Sequence, residues 1–174
     1  DNKMSVENIQ NSVLDVIAYL SENPKDAVST SAPITAVMED GLRCRATGAK
    51  GETVVTDMPK AIGGGGSKPT PGWLSRAALA TCDATRIELR AAELGLSLDT
   101  LEVTADSVDD DRGLLGMDAT VRAGSLSLRT RVKIGAAGVE KQTLRDIVSY
   151  AIVHSPVADK CRTETPSTVE VTIA

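Results

Sequence analysis

Three cysteines, one histidine and a few arginines are the residues of this chain best suited to chemistry. Cys82 lies in Ala-Leu-Ala-Thr-Cys-Asp-Ala (78–84), inside an apolar helical pattern. A thiol there is either a small buried hydrophobe or, with a cation or hydrogen-bond donor beside it, a nucleophile. Arg86 follows at i+4, placed to reach back to the sulfur or to pair with acids near Glu88. Far downstream, AIVHSPVADKC (Ala151–Cys161) ends a helical run before Pro156 and carries His154, Ser155 and Cys161. Cys44 sits in an alternating segment between Arg43 and Arg45. The chemistry in view is therefore thiol redox or thiol nucleophilic chemistry.

Other site chemistries fit less well. The loop Gly63–Lys68 (GGGGSK) lacks the spacing of a phosphate-binding loop, and two prolines delay the helix that follows, so it reads as a flexible lid or connector. One histidine and three scattered cysteines, with no Cys-x-x-Cys, do not make a zinc site. His154, Ser155 and Asp159 are close in sequence, but no nucleophile elbow surrounds the serine. His154 at a helix C-terminus is explained by the helix dipole. No cofactor and no metal is expected.

The elements that must position Cys82 follow from periodicity. Ser5–Asn23 has Val6, Ile9, Val13, Val16, Ile17 and Leu20 on one helical face, for docking on the main body or on a partner subunit. Strands are expected at Pro33–Met38, Leu42–Thr47 and Thr53–Thr56, with Asp40-Gly41 marking a hairpin. In the second strand Leu42, Cys44 and Ala46 share one face, and Arg43 and Arg45 the other. Thr70 is a good N-cap and Pro71 a good first residue for a long helix ending near Leu94, with Gly95 as its C-terminal cap. Its expected stripe is Leu74, Ala77, Ala78, Thr81, Cys82, Thr85 and Leu89. Strand patterns then cover Leu96–Ala105, Leu115–Val121 and Leu126–Ile134. Glu140–His154 reads as a helix, Val157–Cys161 as a short turn or helix, and Val169–Ile173 as a last strand. Two blocks of consecutive strands imply antiparallel meanders in an α+β fold.

Composition sets outer bounds. With 41% hydrophobic residues but no Phe, one Trp and two Tyr, the core must be built of Leu, Val, Ile and Ala. A net charge of −5 argues against nucleic acid and anionic membranes as partners. No apolar run approaches the ~20 residues of a membrane span. The N-terminal residues lack the profile of a signal peptide, and three cysteines cannot pair completely. A cytoplasmic protein with free thiols is expected.

The run GGGGSKPTPGWLSRAALATCDA resembles the central signature of the OsmC/Ohr family, P-x-x-L-x-x-A-L-A-x-C, through Pro71, Leu74, Ala78, Leu79, Ala80 and Cys82. The family's second signature, a helix ending in Cys-Pro, has its counterpart at Ser155-Pro156 after LRDIVSYAIVH. The likeness runs from about Ile34 to Ile173. It implies an OsmC-like fold, with strand meanders packed around long central helices over residues 31–174, to which residues 1–30 add an N-terminal helix. It also implies an intertwined homodimer with sites at the subunit interface.

Peroxidase members of that family reduce organic hydroperoxides through a first thiolate, which a second cysteine resolves. By resemblance Cys82 is the peroxidatic thiol and Ser155 occupies the resolving position without a thiol. Gly72 stands where the family has a glutamate, and Arg43 or Arg45 would be the activating arginine. Cys161 is a candidate substitute resolver. However, a helix over 157–161 would set it about 9 Å of axial rise from Ser155, beyond the roughly 7 Å Cα separation a disulfide allows. Beside a different enzyme that uses His154 and Cys82 together, which only their proximity in the fold would support, two functions stay open. One is a one-cysteine thiol peroxidase for organic hydroperoxides in oxidative stress defence, recycled by an external thiol. The other is a non-catalytic dimer that binds a small apolar ligand or serves a structural role.

Overall fold

The computed structural model describes residues 5–173. Its first element is α1 (Val6–Glu22), followed by a 3₁₀ turn at Pro24–Ala27. Strands β1 (Thr35–Asp40), β2 (Arg43–Thr47) and β3 (Thr53–Thr56) come next, then α2 (Pro71–Glu93). The second half runs β4 (Thr100–Val108), α3 (Asp111–Leu114), β5 (Ser127–Gly135), α4 (Lys141–Val153) and α5 (Pro156–Arg162). Mixed helices and antiparallel strands are as the sequence leads one to expect.

The chain divides into two compact units. One is Ser12–Ala78; the other joins the chain up to Asn11 to Leu79 and all that follows. In the first unit β1, β2 and β3 form an antiparallel meander in that order. Asp40 pairs with Arg43, so Gly41 and Leu42 make a two-residue turn, and Gly41 supplies the positive φ it needs. In the second unit β4 and β5 pair antiparallel from Thr100↔Gly135 to Val108↔Ser127. The core there is Ile87 and Ala91 of α2 with Leu144, Ile147 and Ala151 of α4. Val103, Val132 and Ile134 of the two strands pack against it. Small residues on both helices allow close approach in a core with no large aromatic.

Long α2 starts and stops where its caps dictate. Thr70 Oγ1 accepts from Trp73 N at 3.1 Å, and Pro71 needs no partner for a missing N–H. At the far end Gly95 takes φ +71°, with Leu96 N donating to Ala91 O at 2.9 Å. That is the closing bond of a Schellman motif.

Four expectations need correction. The buried stripe of α2 is Leu79, Asp83, Ile87, Ala91 and Ala92, which starts one position on from the expected Ala78 and Cys82 and leaves Thr85 outside it. Asp83 broke the apolar period in the sequence, yet it is buried. The strand expected at Leu115–Val121 is absent: α3 and turns occupy it, with Gly116 at φ +63° and Asp118 Oδ1 accepting from Thr120 N. Such an Asx turn competes directly with a strand ladder. Val169–Ile173 forms no strand either, because no neighbouring strand takes its backbone groups; Val169, Val171 and Ile173 are exposed.

The glycine loop, finally, is not a free connector. Asp57, just after β3, accepts from Met58 N, Gly65 N, Ser67 N and the Ser67 hydroxyl, at 2.7–3.2 Å. Gly64 lies so close to Met58 that a Cβ would overlap the Met58 carbonyl oxygen. Glycine there serves close approach, not freedom.

Candidate active site around Cys82

Within the second unit, Cys82 is half-buried on α2. Ser155 stands between α4 and α5, with its backbone extended (φ −85°, ψ 114°) and its side chain fully buried. A serine in that position usually gives its oxygen to the first free amides of the helix, worth about 1 kcal/mol. Ser155 makes no such cap. Its hydroxyl donates instead to the Cys82 sulfur, Oγ to Sγ 3.4 Å. Its backbone is engaged at the same time: N–H donates to Ile152 O and C=O accepts from Asp159 N. Pro156 opens α5 and halts α4, so the break between the two helices is what aims the serine.

Cys161 lies on α5, exposed, and all three cysteines are free thiols. With Pro156–Arg162 helical, Cys161 is about 9 Å of axial rise from Ser155. The Ser155–Cys82 pair is thus brought together; a Cys82–Cys161 disulfide is not formed.

The arginines are engaged elsewhere. In the first unit, Glu39 Oε2 accepts from Arg43 Nε at 2.8 Å and Oε1 from Arg45 Nε at 2.5 Å. The two guanidiniums hold the Glu39 carboxyl below its ordinary range. Arg43 also donates to Ser67 Oγ at 3.3 Å, which ties β2 to the glycine loop. Asp57 beneath that loop is held down to about 2, chiefly by the Ser67 N–H and hydroxyl, which outweigh its burial. Gly72 is exposed at the start of α2.

Arg86, one turn beyond Cys82, is paired with Glu93 at 3.0 Å, and Arg90 shares the same carboxylate at 2.9 Å. Burial pushes the Glu93 carboxyl up, and the two guanidiniums more than reverse it, leaving it below its ordinary value. Both arginines lie over the Tyr150 ring, at 5.3 and 4.0 Å from its centroid. His154 stacks on the same ring at 4.1 Å, and its Nδ1 is 2.7 Å from Tyr150 O. In the neutral ring that contact places the proton on Nδ1 and leaves Nε2 as the acceptor. His154 is thereby turned to Tyr150 as a helix-end residue.

Two acids escaped the sequence reading. Asp57 orders the glycine loop; its signal was an acid eight to ten residues ahead of glycine and serine amides. Asp83, next to Cys82, is 1% exposed. Its Oδ2 accepts from the Thr130 hydroxyl at 3.4 Å, and its Oδ1 has no hydrogen-bond partner among the described residues.

Comparisons with known proteins bear on the fold and the family. No curated protein matches the chain. Among solved structures, an OsmC-like protein from Mycoplasma pneumoniae superposes with a TM-score of 0.65 at 13% identity, covering 78% of this chain and 89% of the other. An organic hydroperoxide resistance protein from Legionella pneumophila gives 0.56 at 18%, covering 77% and 92%. One from Elizabethkingia anophelis gives 0.54 at 18%, covering 78% and 91%. At such identities the likeness establishes the fold. The family model for OsmC-like protein matches residues 64–170, well over half the chain and inclusive of both Cys82 and Ser155. The chain belongs to the OsmC-like protein family.

Proposed function

We propose that the protein is a one-cysteine, thiol-dependent reductase of organic hydroperoxides. The observation that carries this reading is the fully buried Ser155 hydroxyl, spent on the Cys82 sulfur instead of on its own helix. The Cys82 thiolate attacks the distal peroxide oxygen; the O–O bond breaks, and the alkoxide leaves as the alcohol after taking a proton. Cys82 is then a sulfenic acid. The Ser155 donor first orients the sulfur and then lies within reach of the sulfenic oxygen. Without a thiol at position 155, two equivalents of an external thiol reduce the sulfenic acid to thiol and water, and are themselves oxidised to a disulfide. Solved structures named as organic hydroperoxide resistance proteins support the substrate class.

The same proposal takes residues 31–174 as the domain, residues 1–30 as a helical addition, and the cytoplasm as the thiol-rich setting. It takes the working form as a homodimer. Support comes from apolar side chains that nothing covers: Leu14, Val16 and Ile17 on α1, Val37 and Met38 on β1, and Val169, Val171 and Ile173 beyond α5. A non-catalytic dimer is the competing reading, favoured by Glu39, which occupies both Arg43 and Arg45.

Intact-protein mass spectrometry after one equivalent of cumene hydroperoxide separates them. The peroxidase reading expects the native chain and Cys161→Ser to gain one oxygen each, and Cys82→Ser to gain none. A native mass that stays unchanged, with three thiols countable after unfolding, removes it.

A further inference from the structure

Away from Cys82, the second unit carries an open groove of about 600 Å³ between β5 and α4. That is within the size range of small-molecule sites, roughly 300–1,000 Å³. Its apolar side is Val132 and Ile134 of β5 with Leu144 and Val148 of α4. Lys133, Lys141 and Arg145 line it too, with Ser149, and no acid, amide or aromatic side chain does.

The three cations stand together at one groove of an acidic chain. None has an ion-pair partner among the described residues. Glu102 stands opposite Lys133 across the strands without an ion pair, and Asp146, next to Arg145, accepts from Gln142 at 2.8 Å. Lys141 and Arg145 also sit in the first turns of α4, where the helix dipole opposes positive charge. No ion pair or helix-dipole attraction holds Lys141 and Arg145 at these positions. One turn apart, they lie on the same ridge, beside the parts of Val132, Ile134 and Val148 that line the groove at the margin of the core.

We propose that this groove binds a single-chain carboxylate, its head between Lys141 and Arg145 and its tail along Val132, Ile134, Leu144 and Val148. Arg145 can take a carboxylate through two parallel N–H donors, with Lys141 as a point charge beside it. The lack of aromatic and amide side chains leaves nothing to read a base or a sugar. The inference is independent of any chemistry at Cys82.

Calorimetric titration of the full chain with sodium decanoate, below its micelle concentration, tests it. Saturable binding of one decanoate per chain is expected, with none for acetate or decyltrimethylammonium, which lack the tail and the negative head respectively. Lys141→Gln with Arg145→Gln should weaken decanoate about tenfold or more while circular dichroism stays unchanged, because both side chains are exposed and make no ion pair among the described residues. Val148→Asn should weaken it separately. Absence of decanoate binding, equal binding of the cationic probe, or undiminished binding in the variants would overturn the proposal. So would variants that shift the sedimentation coefficient and leave decanoate affinity intact, since the groove would then be a contact between copies.

Discussion

A serine ahead of a proline at the start of a helix normally turns its oxygen to the free amides behind it; Ser155 turns its hydroxyl to a sulfur 3.4 Å away. Ser155→Ala is therefore expected to slow oxidation of Cys82 by cumene hydroperoxide about tenfold, the worth of one hydrogen bond, with little change in melting temperature. Stopped-flow oxidation rates would show it. Ser155→Cys should restore a thiol pair: on oxidation the introduced sulfur should bond to that of Cys82, seen as a loss of two hydrogens by mass spectrometry. Asp83 makes a different point. Its Oδ1 is buried without a partner among the described residues, which costs about 1–3 kcal/mol. Asp83→Leu, similarly branched and apolar, should raise the melting temperature in a thermal scan.

Among the elements, the glycine loop depends on one carboxylate. Asp57 is held near 2 in the folded chain, against an ordinary value of 3.8. Its contribution to stability is thus fully present above about pH 4 and fades as the pH falls toward 2. Asp57→Ala should remove it throughout, so that urea unfolding midpoints fall less steeply over that window in the variant than in the native chain; the other lowered carboxylates act in both. At neutral pH the amides of Gly65 and Ser67, which bond this carboxylate, should exchange with deuterium at least about tenfold faster in the variant. From sequence, the caps of α2 were legible because Thr70, Pro71 and Gly95 act on backbone groups next to them. The Asp57 staple was not, since its partners lie eight and ten residues away and only a closed loop brings them back.

For the molecule as a whole, stability in the second unit rests on a small aliphatic core. Ile87 is completely buried between α4 and the β4–β5 ribbon. Ile87→Ala should cost roughly 2–5 kcal/mol, measured by urea unfolding, because rigid neighbours do not close the cavity. The exposed apolar residues of α1, β1 and the chain beyond α5 are the counterpart of that small core.

Four of the five helices, the antiparallel pairing within each block and the family could be read from the order of amino acids, but α3 could not. Those follow from periodicity, caps, turn residues and one cysteine motif, all of them local signals. Which face of α2 is buried could not, because burial of Asp83 depends on a hydroxyl 47 residues away. The strands expected at Leu115–Val121 and Val169–Ile173 were lost only in three dimensions, since a strand exists only where another takes its hydrogen bonds. Chain folding likewise joined Ser155 to Cys82, 73 residues apart, through a helix break whose direction no local pattern encodes.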